Sequence, residues 1–161
     1  ELGHRSFLFI GVTEKDEAVG ILRKKGFTDV VAQMEGTKLS FIETSFSRSE
    51  TYQKARLFLK ENQATYLACA TDNIAVAVLK AAHELGLRVP EDFSLSGFGG
   101  YDSTDYVFPT ITTTHYPYHQ LGGDAVETIQ KLIQKVQVPE LIKLPNQLVI
   151  KQSTIPIEQI P

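Results

Sequence analysis

Apolar and polar positions along the chain fall into a repeating order. SFLFIGV (6–12) is an unbroken apolar run of strand length, and EKDEAVGILRKKGF (14–27) follows it with Ala18, Val19, Ile21 and Leu22 before Gly26. That order predicts a strand, a loop and a helix stopped by glycine. LSFIET (39–44) predicts a second strand, and SRSETYQKARLFLKEN (47–62) a helix capped by Ser47 or Ser49, with Tyr52, Ala55, Leu57, Phe58 and Leu59 for its inner face. TYLACA (65–70) is a third strand, followed by the helix NIAVAVLKAAHELG (73–86), in which Ile74, Val78, Ala81, Ala82 and Leu85 share a face and Gly86 closes the end. After Pro90, FSLSGF (93–98) is a fourth strand. Strands at intervals near thirty residues, each of the first three followed by a helix, predict an α/β fold: a parallel sheet with helices on both faces.

Beyond residue 98 the order loosens. Residues 99–119 read as a long loop around Pro109 with a short β-branched strand, TITTT (110–114), and Pro117 after it. QLGGDAVETIQKLIQKV (120–136) predicts a helix with Ala125, Ile129, Leu132, Ile133 and Val136 on one stripe, and two short strand-like runs split by Pro145 end the chain.

Composition narrows the function classes. The chain has 161 residues, 42% of them hydrophobic, enough for one substantial core. Sixteen Lys and Arg are scattered among nineteen Asp and Glu, so no basic stripe is present to track phosphates, and this chain is not expected to grip nucleic acid itself. Cys69, the only cysteine, lies in an apolar run; it forms no disulfide within the chain and points to a reducing, cytoplasmic setting. No apolar run approaches the ~18 residues of a membrane span, and the first residues carry no secretory signal pattern. The chain starts without methionine and enters a strand almost at once, as expected of part of something longer.

In a parallel sheet ligands bind beyond the carboxyl ends of the strands. The positions there are Thr13–Asp16, Ser45–Ser47, Thr71–Asn73 and Gly99–Asp102, polar residues with one aromatic, Phe46. Such a lining suits a small polar ligand with an apolar face, a sugar above all. Asp72 and Asn73 fit helix capping equally well, and Arg23 on spacing alone reads as a solvated or ion-paired side chain. No nucleophile elbow, phosphate loop or zinc spacing is present; His115 and His119 flank Pro117, so they share no helix face. No enzyme, cofactor or metal is expected.

The quoted runs also carry a resemblance. GHRSFLFIG, LRKKGF, ATDNIAVAVLKAAHELGLRVPEDFSLSGFG, PTITTTHYP and LVIKQSTI, in this order, resemble the effector-binding core of the lactose and galactose repressor family of bacterial transcription regulators. The resemblance implies a periplasmic-binding-protein-like fold of two subdomains that closes on a small molecule, behind a helix-turn-helix headpiece. It places residues 1–114 in the second subdomain and 115–161 in a helix and strands that return to the first, with the headpiece and most of the first subdomain outside this chain. The returning segment is expected to be loosely held, rearranged or covered by another chain.

Site residues follow from the same resemblance. Arg23 matches the family's arginine that reaches the effector, Phe46 the place of a stacking aromatic, and Thr71 and Asp72 the segment where the family usually has Asn-Asp. Tyr116 and Tyr118 lie at the crossing back. Where the family usually reads GFDD or GYDD, this chain has Gly99 and Gly100, then Tyr101 and Asp102. Either the glycines make room for a larger effector and admit Tyr101 and Asp102 in the acid's stead, or a tight turn needs φ > 0 there. The implied partners are a sugar or sugar phosphate, a second copy of the chain through Val76, Lys80, Tyr106, Val107 and Phe108, and operator DNA only through the headpiece. A periplasmic-type sugar-binding protein of a transport system is the alternative.

Overall fold

A computed structural model describes residues 2–160. Its body is a parallel sheet of β1 (Ser6–Val12), β2 (Lys38–Thr44), β3 (Tyr66–Cys69) and β4 (Ser94–Ser96) in the order β2-β1-β3-β4. The chain steps from β1 to β2 in one direction and returns through β3 to β4 in the other. Right-handed crossovers therefore put α1 (Arg23–Val31) on one face and α2 (Arg48–Phe58) and α3 (Asp72–Glu84) on the other.

β1 is buried almost throughout because both faces are covered. Phe7 and Phe9, two residues apart, meet Phe27 of α1 with ring centroids 5.9 and 5.5 Å away. The alternate residues Leu8 and Ile10 join the core under α2 and α3, where Ile10, Leu67, Ile74, Val78 and Leu95 are fully buried. Alanines at 75, 77, 81 and 82 are all buried in α3 and let α2 approach closely. Ser47 caps α2 and Thr71 caps α3, each accepting from the amide three residues on.

The first helix departs from its predicted form. Glu17–Leu22 winds as a π-helical turn, capped by Asp16 accepting from the Val19 amide at 2.7 Å, and α1 runs on to Val31 through Gly26. Gly26 is not the stop: its φ lies outside the left-handed range that a glycine stop requires, and a Cβ there would meet nothing within 4 Å. Within the wide turn Gly20 lies against the loop, where a Cβ would stand 2.1 Å from the Thr13 carbonyl oxygen.

Beyond the body, residues 110–115 run beside 96–99: Gly97 and Gly99 donate to the Thr112 and Thr114 carbonyls, both at 2.9 Å. β5 (Thr113–His115) then pairs antiparallel with β6 (Gln147–Val149), and between them α4 (Tyr118–Ile133) has no buried residue. The segment 115–161 does not stay apart as a whole. At Ser153 the chain is back in the body, fully buried: its carbonyl accepts from Leu95 N–H at 2.7 Å, and its hydroxyl donates to Leu95 O at 2.5 Å and accepts from Thr112 N–H at 2.9 Å. Nor do both end runs form strands, since Leu141–Leu144 lies outside regular structure.

Candidate functional site

The carboxyl ends of the strands form one wall of an open cleft. Arg23 leaves α1 immediately after the π-helical turn, an insertion often found at functional sites. Its Nη1 donates to the Ala70 carbonyl at 2.5 Å and its Nη2 to the Tyr116 hydroxyl at 2.7 Å. The guanidinium lies over the Phe98 ring, its central carbon 4.3 Å from the ring centroid. Phe98, Tyr116 and Tyr118 continue as an edge-to-face column with centroids 5.4 and 5.6 Å apart. A groove of about 710 Å³ runs from this corner along the α1 face of the sheet, past Phe27, Tyr66 and Ser96.

The doubled glycine is the centre of a hydrogen-bonded loop. Gly99 sits at φ +140° and Gly100 at φ +72°, conformations that side chains resist. A Cβ on Gly100 would come within 2.5 Å of His115 Cδ2. The second sequence reading, a turn that needs positive φ, therefore accounts for both glycines. Tyr118 Oη donates to Gly99 O at 2.7 Å, and burial raises the pKa of that phenol, so it stays a donor.

Asp72 fastens this loop from behind. It is completely buried; Oδ2 accepts from Tyr101 N–H at 2.8 Å and Oδ1 from the Thr113 hydroxyl at 2.6 Å. Gly97 is a glycine for the same reason, since a Cβ would fall 2.2 Å from Asp72 Oδ1. Both carboxylate oxygens thus have a partner within the protein, and the side chain is sealed from solvent on this wall. The Thr71 hydroxyl is likewise engaged, accepting from Ile74 N–H at 3.2 Å.

Among the predicted residues, Arg23, Gly99, Tyr101, Tyr116 and Tyr118 come together here. Phe46 is 54% exposed between Ser45 and Ser47, its ring paired with no other among the described residues. Asp102, exposed at the start of the 3₁₀ turn Asp102–Thr104, makes no side-chain hydrogen bond or ion pair among them. Phe98, Thr113 and the Ala70 carbonyl escaped sequence reasoning; only the threonines of TITTT gave a signal, as hydroxyls beside a glycine-rich loop. No group of three His, Cys, Asp or Glu that could hold a metal occurs among the described residues, and no helix there is long and apolar enough to cross a membrane.

On the outer surface, Tyr106 and Phe108 are 86% and 88% exposed, while Val107 packs on the core. Phe108 borders a groove of about 480 Å³ shared with Leu79, Leu87 and Pro90. Val76 is half-buried, and Lys80 pairs with Glu84 over the Tyr52 ring.

The sheet order and the open strand ends define an α/β domain with a cleft at the carboxyl ends of its strands, and residues 1–154 match the family described as periplasmic binding protein-like domain. The chain belongs to that family, and within it is homologous to the effector-binding domains of LacI- and PurR-type regulators. A repressor named PurR from Shigella dysenteriae serotype 1 is 30% identical over 158 residues, 95% of this chain and 46% of that protein. A LacI family regulator from Enterococcus faecalis V583, solved with bound ribose, superposes with TM-score 0.84 at 29% identity over 97% of this chain and 57% of its own. One from Arthrobacter sp. FB24 in complex with lactose gives 0.83 at 25% identity, over 94% and 58%. The chain spans about half the length of the relatives it matches.

Proposed function

We propose that this chain is the greater part of the effector-sensing module of a bacterial transcriptional repressor. A sugar or sugar phosphate binds at the carboxyl ends of the strands, the cleft closes on it, and closure changes the affinity for operator DNA of a headpiece outside this chain. Such coupling requires different ligand affinities in the two DNA-binding states. The observation that carries the reading is the Arg23 guanidinium, fixed between Phe98 and Tyr116 at the end of β3 with donors left over. The ribose and lactose bound by the two regulators above support the ligand class, and the regulator relatives favour this reading over a transport protein.

Arg23, Tyr101, Tyr116 and Tyr118 touch the ligand from this side, Phe46 and Asp102 from the rim, and Thr71 and Asp72 hold the wall in shape. The module binds without turning its ligand over. Two copies meet through Val76, Lys80 and the Tyr106–Phe108 loop, whose apolar rings are otherwise left in water.

The test is a thermal-shift screen of the full-length protein, in the cytoplasmic reducing conditions expected for it, against common sugars and their phosphates. A ligand at 100 times its Kd adds ~2.7 kcal/mol of stability. One such ligand that also changes operator affinity confirms the reading; a panel without effect on either melting or DNA binding rejects it.

A further inference from the structure

The exposed rings of Tyr106 and Phe108 stand on a loop that is tied at both ends to the segment following β6. Asp105 opens the loop, and its Oδ1 accepts from the Lys151 ammonium at 2.5 Å. The same ammonium donates to the hydroxyl of fully buried Thr104 at 2.8 Å. Thr110 closes the loop. Its amide and its hydroxyl both donate to Gln152 Oε1, at 3.1 and 3.2 Å, and its carbonyl accepts from Ser153 N–H at 3.0 Å. Consecutive residues of the returning segment thus hold both ends of 105–110.

The tie at Asp105 is unlike the other ion pairs. Seven occur among the described residues; the cations of six expose 36% to 64% of their side chains, and Lys151 exposes 15%. A cation so shielded is screened least by salt. Its carboxylate partner stays 59% exposed, so the pair adds little to stability; what it fixes is where residue 105 stands.

That position governs the rings. Val107 packs on the core, whereas Tyr106 and Phe108 do not. Phe108 borders the groove of about 480 Å³ formed with Leu79, Leu87 and Pro90. A loop free at its ends would turn that ring into the groove and out of water. A loop held at 105 and at 110 keeps the ring outside.

We infer that Lys151 and Gln152 are positioning residues for self-association: they hold the loop so that Tyr106 and Phe108 are offered to a second copy of the chain. This rests on the proposed meeting of two copies through that loop. It makes the strength of their association depend on where the segment after β6 lies.

Dissociation of the full-length protein is followed by sedimentation equilibrium. Phe108→Ala tests the surface itself, and Lys151→Met, which keeps most of the aliphatic stem and removes the charge, tests the clamp. The expected result is weaker association in both, by about ten-fold for Lys151→Met, the scale of ordering one or two side chains at an interface. Lys151→Arg restores it. Asp105→Asn weakens association as much as Lys151→Met, and the double variant weakens it no further than either alone. Melting is compared in the Phe108→Ala background, where association no longer adds to stability. If Lys151→Met lowers melting there, the exposed Gln152 decides instead: weaker association of Gln152→Ala with unchanged melting supports the clamp, and unchanged association overturns it. Unchanged association in Phe108→Ala overturns the self-association surface and the inference with it. Weaker association in Phe108→Ala beside unchanged association in Lys151→Met overturns the inference and leaves the surface standing. Losses that multiply in the double variant overturn the Lys151–Asp105 pair as the tie.

Discussion

The body and the arm of this chain are built from the same kinds of residue and have opposite fates. α3 and α4 are both amphipathic, yet eight residues of α3 are buried and none of α4. Leu132 and Ile133 are 56% and 76% exposed, while Ile74 and Val78 are sealed. The difference lies in what stands opposite each helix: α3 meets a sheet face and α2, whereas α4 leaves and returns through the two-stranded ribbon of β5 and β6. An apolar stripe shows that a helix has a partner; it does not say whether the partner lies in the same stretch of chain.

The contrast is sharpest in core truncations. Leu67→Ala, at a fully buried position of β3, should cost about 3 kcal/mol and lower the melting temperature by about 10 °C. Ile133→Ala in the 161-residue chain should change stability by less than about 0.5 kcal/mol. Comparable losses from both would show that α4 is packed in solution. Next in size, Asp72→Asn replaces a two-acceptor carboxylate by an amide with one, and should cost about 2 kcal/mol in urea unfolding. A neutral outcome would mean that the loop is held by its backbone contacts alone.

A smaller effect is expected at His4, just before β1. His4 is buried beside Tyr66, its Nε2 donating to Ile155 O at 2.9 Å and its Nδ1 3.0 Å from the Thr65 hydroxyl. Burial holds its pKa below the usual value of about 6.5, against the opposing pull of the Ile155 carbonyl. With the folded pKa lowered, the folded protein binds fewer protons than the unfolded one. The contribution is complete above the unfolded pKa and is lost as pH falls from about 6.5 toward the folded value. Urea midpoints measured from pH 7.5 down to 5 should fall more steeply for the wild type than for His4→Gln; parallel slopes would remove His4 from the account. A small change is likewise expected from excising residues 121–144, which spares Tyr116 and Tyr118, and closing the gap with a short turn. That variant should melt within a few degrees of the parent, and collapse of the body would show that the arm supports it.

Most of the body was legible because covered parallel strands demand continuous apolar runs, and β1, β2 and β3 are bounded within a residue of their predicted limits or inside them. The carboxyl ends of the strands were legible for the same reason, since each apolar run ends where its strand does. What stayed hidden depends on neighbours distant in sequence. Gly26 looks like a stop, but stopping is a property of φ. Asp72 is bonded by Thr113, forty-one residues on, a partner that no local pattern announces. Ser153 sits in a polar run, and no periodicity announces that both its backbone and its hydroxyl will satisfy Leu95.

The hydrogen bonds that hold the loop at the mouth of the cleft run through its main chain: Gly97 N–H, Gly99 N–H, Gly99 O, Gly100 N–H and Tyr101 N–H are all bonded, to groups that lie outside it. The side chain of residue 101 takes no part in that grip and stands 43% exposed. Position 101 is therefore a spot where descent can try one side chain after another against new molecules, at almost no risk to the architecture that displays them.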